Sequence, residues 1–273
     1  MSKPILYGTA WKEDETERLT RLALENGFRG IDTANQRKHY DEASVGRAIS
    51  SAIRDGLVVR DELFIQTKFT FRAGQDHRLP YDPAAAIATQ VQQSIASSLA
   101  HLPVSYLDSY LLHGPSQRTG LGQNDWEAWH AMEAAHDRGV VRSIGISNVS
   151  LRQLETLVER CRVRPQWVQN RCYAVNGWDR DVRAYCHVNA ITYQGFSLLT
   201  ANQNYLALPV LALMAEMHQC SVAQIVFSFA RGVGMLPLTG TSNSEHMRLD
   251  LAALNMQLTA NELLEVENVA TGA

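Results

Sequence analysis

Three ionisable side chains each close a short apolar run. Asp32 ends FRGID, Lys68 ends LFIQTK and His113 ends LDSYLLH. A charge at the end of a buried strand is costly unless it has a partner. Taken singly, these residues read as a buried Asp32–Lys68 ion pair and a hydrogen-bonded core histidine. Taken together, on three adjacent strands at one rim, they read as a site.

Elements that would hold them there recur along the whole chain. Strands are predicted at Ile5–Gly8, Arg29–Asp32, Leu63–Lys68, Leu107–Leu112, Ser143–Ser147, Trp167–Arg171, Ile191–Phe196 and Met235–Leu238. Several are β-branched or aromatic and do not alternate with polar residues, as strands buried on both faces require. Helical spacing is predicted over Thr16–Asn26, Ala84–Leu99, Trp126–Arg138, Leu151–Arg160 and Val222–Arg231, with Gly27, Gly139 and Gly232 as stops. Thr259 and Glu262 form a capping box for a last helix through Leu263 and Val266. Strands alternating with helices predict an α/β (β/α)8 TIM barrel, a parallel eight-stranded barrel with outer helices, as one domain over residues 1–273. Chemistry then belongs at the C-terminal ends of the strands. An open doubly wound sheet would want a glycine-rich turn after its first strand. Here Gly8 is followed by Thr9-Ala10-Trp11, so the usual pyrophosphate cradle is missing.

The chain has 273 residues, 45% of them hydrophobic, enough for the core of one such barrel. A net charge of −3 gives no electrostatic case for nucleic acid or an acidic membrane surface. No apolar run is long enough to span a membrane, and MSKPILYGTAWKEDE, with no long apolar stretch after its basic residue, is not expected to act as a signal peptide. Cys161, Cys172, Cys186 and Cys220 fall in no metal-ligand or redox spacing, so no metal is expected and reduced thiols in a cytoplasmic protein are.

The segment GFRGIDTANQRKHYDEASVGRAI resembles the stretch of the aldo-keto reductase family that carries its catalytic aspartate and tyrosine. LFIQTK, DSYLLHGP and SIGISN resemble the family's lysine, histidine and cofactor-amide segments, in the same order. The resemblance covers nearly the whole chain. It implies an oxidoreductase that passes hydride from NADPH, or NADH, to a small aldehyde or ketone. It also implies a catalytic set of Asp32, Tyr40, Lys68 and His113. Tyrosine, with an unperturbed pKa near 10, is a poor acid at neutral pH. The expectation is that Lys68 lowers it, Asp32 holds Lys68 in place, and His113 donates to or orients the substrate oxygen. Familiar members place the tyrosine five residues after the aspartate; here it follows by eight, and Val45-Gly46 is kept. His39 is the alternative acid should Tyr40 point away.

By the same resemblance, Ser147, Asn148 and Gln169 hold the nicotinamide carboxamide and Phe196 stacks on its ring. Ser197 and Leu199 lie near the pyrophosphate. Leu238, Thr239, Gly240 and Thr241 lead to a helix start suited to the adenosine phosphate, with His246 and Asp250 beyond. NADPH-specific members carry a lysine and an arginine where Leu238 and His246 stand, which weakens the case for a 2′-phosphate and leaves NADH open. On the substrate side, Trp11 joins Tyr40 and His113, and Trp178, Tyr173 and Tyr7 are further pocket aromatics, whereas Trp126 and Trp129 read as core. Only Met1–Pro4 precede the first strand and the chain ends at Ala273, so a shallow, permissive pocket is expected. The expected partner is a small carbonyl compound, with the protein a monomer or weak homo-oligomer. Two rivals remain: a Schiff-base aldolase using Lys68, and a catalytically silent NAD(P)H-binding regulatory or sensor barrel.

Overall fold

A run such as FIQTKF, buried at all its positions, can pair only where both faces of a sheet are covered. The computed structural model describes residues 5–270 and meets that demand. Met1–Pro4 and the chain end at Ala273 lie outside the described residues. Strands β1 (Leu6–Gly8), β2 (Gly30–Asp32), β3 (Phe64–Phe69), β4 (Ser109–Leu112), β5 (Ile144–Ser147), β6 (Trp167–Arg171), β7 (Thr192–Phe196) and β8 (Leu236–Thr239) follow one another in chain order as a closed parallel barrel. Every predicted strand is present, with ends shifted by no more than two residues. The described residues divide into two compact bodies, one of them Tyr7–Val168.

In the Tyr7–Val168 body, helices α1 (Thr16–Glu25), α2 (Glu42–Arg54), α3 (Ile87–His101), α4 (Gln123–Asp137) and α5 (Leu151–Arg160) follow successive strands. Asp32 pairs in register with Gln66, and Lys68 with Leu111, so the ends of β2, β3 and β4 lie together. Helix α2 was not predicted, although Val45, Ala48, Ile49 and Ala52 give it a buried stripe. Asp41 caps it, accepting from Ser44 N at 3.2 Å. Gly46 lets α2 close on α3: a Cβ there would come within 1.9 Å of the His101 carbonyl oxygen. The Val45-Gly46 pair thus fixes how deeply the helix that begins beside Tyr40 sits.

The second body holds α6 (Arg180–Val188), α7 (Gln203–Leu206), α8 (Pro209–Met217), α9 (Val222–Gly232), α10 (Ser244–Ala252) and α11 (Ala260–Glu267). Only α9 and α11 were predicted. The run LALPVLALMAEM, which contains α8, is apolar on most of its turn, so periodicity is blurred there. The predicted capping box is present: Glu262 N donates to Thr259 Oγ1 at 3.3 Å and Thr259 N to Glu262 Oε2 at 2.7 Å. Gly232 is a correction. It closes α9 from within, where a Cβ would meet Leu263 Cδ2 at 2.6 Å, and the left-handed stop is Gly234, with φ +77°.

Candidate active site

Gln66, Lys68 and Thr70 share one face at the end of β3, because strand side chains alternate. Lys68 is fully buried and its ammonium is saturated. It donates to Asp32 Oδ1 at 2.7 Å, Asp32 Oδ2 at 2.8 Å and the Thr33 carbonyl at 2.8 Å. Gln66 Nε2 adds a bond to Asp32 Oδ1 at 2.7 Å. Burial pulls the Lys68 pKa down, while the charge and hydrogen bonds of Asp32 oppose the fall. Sequence reasoning found Lys68 and Asp32 but missed Gln66 and Thr70, although their two-residue spacing about Lys68 was there to be read.

The extra residues between Asp32 and Tyr40 fold into a turn, with His39 N and Tyr40 N both donating to the Gln36 carbonyl, at 3.1 and 3.0 Å. That turn carries Tyr40 back to the rim. Its ring centroid lies 5.4 Å from Lys68 Nζ and 5.9 Å from the His113 ring, which it meets edge-on. One expectation is corrected. The phenol is not held low in this structure; loss of water around it raises its pKa, and the Asp32 charge raises it further. Lys68 lies over the ring, but its three protons go to Asp32 and the Thr33 carbonyl and none to the phenol oxygen.

His113 follows β4 and is half-buried. Its Nδ1 lies 2.6 Å from Thr70 Oγ1, and its carbonyl accepts from Asn148 Nδ2 at 2.8 Å. Desolvation, then the Lys68 charge, push its pKa down to about 3, so the ring is neutral at physiological pH. His39 packs on Trp11, with ring centroids 3.8 Å apart and planes tilted by 35°, and is hydrogen-bonded to Gln36 Oε1 at 2.9 Å. The loops after β2 and β3 are tied together by Gln36 Nε2 to the Gly74 carbonyl (2.7 Å) and Gln75 Nε2 to the Asn35 carbonyl (2.8 Å).

Trp11 is 68% exposed and Tyr173 is also exposed, so both can face a ligand. Tyr7 and Trp178 are corrections: both are fully buried, and Trp178 Nε1 donates to the Val266 carbonyl at 2.9 Å as a core residue. Trp129 is core as expected, and Trp126 is half-buried beneath Arg160.

The proposed cofactor residues divide between the bodies and differ in readiness. In the first, Ser147 is buried and Asn148 is exposed with φ +52°. The Asn148 amide nitrogen is held by the His113 carbonyl and by Ser147 Oγ, which leaves its oxygen side for a carboxamide donor. This end fits a nicotinamide. In the second body, Gln169 Nε2 donates to Gln194 Oε1 at 2.9 Å, and the half-buried Phe196 ring has the Arg171 guanidinium 5.5 Å from its centroid. Ser197 has φ +56°, and Leu199 lines a small cavity with Leu206 and Val222. Leu238 is buried. The Thr239 hydroxyl donates to the buried Asp250 at 2.7 Å, and burial raises the Asp250 pKa to about 6. Beyond Gly240 and Thr241, Asn243 Oδ1 caps α10 by accepting from Glu245 N (2.8 Å) and His246 N (3.1 Å), while Glu245 pairs with Arg248. The helix start expected to take a phosphate is capped from within the chain and carries an acidic residue in its first turn. Among the described residues, no group of three or more His, Cys, Asp or Glu could hold a metal ion.

Known proteins of similar sequence and structure agree on one family. The family model described as aldo/keto reductase family matches residues 4–271. Aldo-keto reductase AKR2E4 of Bombyx mori is 29% identical over 267 residues, covering 93% of this chain and 82% of that protein. Aldo-keto reductase family 1 member C18 of Rattus norvegicus is 28% identical over 300 residues, covering 98% of this chain and 88% of that protein. The crystal structure of the Bombyx mori AKR2E4 protein in complex with NADP superposes with a TM-score of 0.82 at 26% identity, covering 97% of this chain and 88% of that one.

Proposed function

Since this chain belongs to the aldo/keto reductase family, and so to a family of oxidoreductases, we propose that it reduces the carbonyl of a small aldehyde or ketone with NADPH, using Tyr40 as the proton donor. The observation that carries this reading is the saturated, fully buried Lys68–Asp32 pair, with Nζ 5.4 Å from the Tyr40 ring and that ring edge-on to His113.

Reduced nicotinamide supplies the hydride when bound. The chain's own residues supply the proton and the surroundings. A raised pKa keeps Tyr40 protonated at rest, as a donor must be. As the substrate oxygen gains charge, the Tyr40 proton moves to it and a phenolate remains. The Lys68 ammonium is the nearby cation that stabilises this phenolate, and Asp32 keeps the ammonium from moving. His113, neutral and held at Nδ1, has its ring edge-on to that of Tyr40. Ser147, Asn148, Gln169 and Phe196 are the residues proposed for the nicotinamide, with Ser197, Leu199, Leu238, Thr239, Gly240, Thr241, His246 and Asp250 toward its phosphates. Trp11 is proposed to contact substrate. With all three Lys68 protons committed, the amine has no lone pair to attack a carbonyl, which favours this reading over a Schiff-base aldolase.

The test follows loss of reduced-nicotinamide absorbance, with NADPH and NADH in turn, against a panel of aldehydes, ketones and sugars. Turnover with NADPH is expected. Tight NADPH binding without turnover of any carbonyl would replace this reading with that of a silent binding barrel. The match over residues 4–271 supports one barrel domain. A cytoplasmic setting agrees with four free thiols. A monomer or weak homo-oligomer is proposed, to be read by sedimentation. Among the described residues, no single helix is long and apolar enough to cross a membrane.

A further inference from the structure

Thr70 is the first residue past β3, on the face shared with Lys68. Its side chain is buried and held from several sides. Its carbonyl accepts from Tyr81 Oη at 2.7 Å. Its methyl packs under Gly74, where an added Cβ would approach to 2.8 Å. A β-branched side chain packed in this way keeps one χ1. The hydroxyl then has one partner among the described residues, His113 Nδ1 at 2.6 Å.

Only one of the two possible proton arrangements satisfies both groups. If Nδ1 carried the proton and donated to Thr70, the buried hydroxyl hydrogen would find no acceptor among the described residues. An unmet buried donor is costly. If the hydroxyl donates to Nδ1, both atoms are satisfied and the ring proton lies on Nε2. That nitrogen has no partner among the described residues, and its ring meets Tyr40 edge-on at 5.9 Å. The lowered pKa of His113 agrees with a ring that carries a single proton.

We propose that Thr70 is a positioning residue for carbonyl reduction: its hydroxyl donates to His113 Nδ1 and thereby holds the ring as the Nε2–H tautomer, a hydrogen-bond donor ready for the carbonyl oxygen beside Tyr40. This rests on the reductase reading for its catalytic consequence. Two donors then face one oxygen, the Tyr40 hydroxyl that gives up its proton and the His113 N–H that keeps it. A ring free to change tautomer would spend part of its time offering a lone pair to that oxygen, which repels it.

The experiment uses the full-length protein labelled with 15N-histidine, with the His113 signals assigned by their loss in His113→Asn. Long-range 1H–15N spectra of the resting protein are expected to show an unprotonated Nδ1 and a protonated Nε2. In Thr70→Val, which keeps the shape and removes the donor, the Nδ1 signal should move. Carbonyl-reducing kcat should fall about ten-fold with NADPH affinity unchanged, and Tm should drop by no more than the loss of one buried hydrogen bond brings. Thr70→Ser should restore both the spectrum and kcat. A proton on Nδ1 in the wild type would overturn the proposal. So would a Thr70→Val protein with unaltered spectrum and kcat, or a Thr70→Ser protein as impaired as Thr70→Val. A wild-type protein that turns over no carbonyl would sink the reductase reading instead, and the ring signature would still be read independently.

Discussion

The Tyr7–Val168 body carries an ion-pair cluster at each end of its strands, and the two are built on opposite principles. At the C-terminal ends, Lys68 and Asp32 are 0% and 4% exposed, and every ammonium proton is spent. Before the N-terminal end of β4, Asp108 accepts from Arg60 at 2.7 Å and from Ile65 N at 3.0 Å, and Arg142 lies 3.5 Å away. Arg60 and Arg142 also lie over the Tyr106 ring, at 4.0 and 3.5 Å. Those arginines are 19% and 55% exposed. The outer cluster uses water-softened charges and a shared aromatic face, an arrangement suited to stability. The inner cluster bears the full desolvation cost of two charges, and a well-packed apolar pair would serve folding at least as well. What an apolar pair could not do is stabilise charge on Tyr40.

The comparison breaks first at Tyr40. Tyr40→Phe is expected to lower kcat by roughly 10²- to 10⁴-fold, the range for loss of a positioned acid. NADPH affinity, followed by fluorescence, should stay as in the wild type, because only the phenol hydroxyl is removed and the ring is kept. A variant that retains most of its turnover would return the inner cluster to the status of a structural ion pair.

Lys68→Met sharpens the contrast, because it strips Asp32 of its ammonium while the Gln66 Nε2 bond to Asp32 Oδ1 stays. Breaking a buried pair from one side costs about 3–5 kcal/mol, and turnover should be lost as well. Adding Asp32→Asn should recover much of the stability in urea unfolding and none of the activity. Recovery of both would mean that the pair acts on neither the phenol nor the substrate.

The outer cluster should behave in the reverse way. Asp108→Asn weakens charge-assisted bonds to Arg60 and to the backbone, a loss of about 1–3 kcal/mol, and kcat should stay within about twofold. Should Asp108→Asn cost activity while leaving the urea midpoint in place, the division of labour between the two ends would be wrong.

Much of the inner cluster was legible because its types are out of place: Asp, Lys and His at the ends of apolar runs demand partners. Its supporting residues were harder to see. Gln66 and Thr70 are unremarkable by type and matter through strand alternation about Lys68. The turn that returns Tyr40 to the rim is local backbone bonding to the Gln36 carbonyl, which no periodicity announces. Aromatic type alone misled at Tyr7 and Trp178, since a large ring with one polar atom serves a core as well as a pocket. The sign of the Tyr40 shift was missed because a lysine near a phenol reads as an acidifier, whereas burial of the phenol, and then the Asp32 charge, set the sign here.

The smallest effect concerns pH and separates His113 from the ion pairs. The folded ring takes up its proton only near pH 3, whereas an unfolded histidine does so near 6.5. Between those values the unfolded chain holds more protons at this position, so His113 makes stability fall as pH drops through the window and adds no slope above it. Asp250 works in the other sense. With its pKa raised to about 6, the folded protein keeps a proton that the unfolded chain has released, so this group favours folding as pH falls toward the ordinary carboxylate range. Wild-type unfolding sums the two, and His113→Asn removes only the first. The variant should therefore lose stability less steeply than wild type on going from pH 6.5 to 4, by less than one proton's worth of slope. Parallel urea midpoints across that range would show that the ring already takes up its proton in the folded state, and the neutral donor assigned to it would not exist.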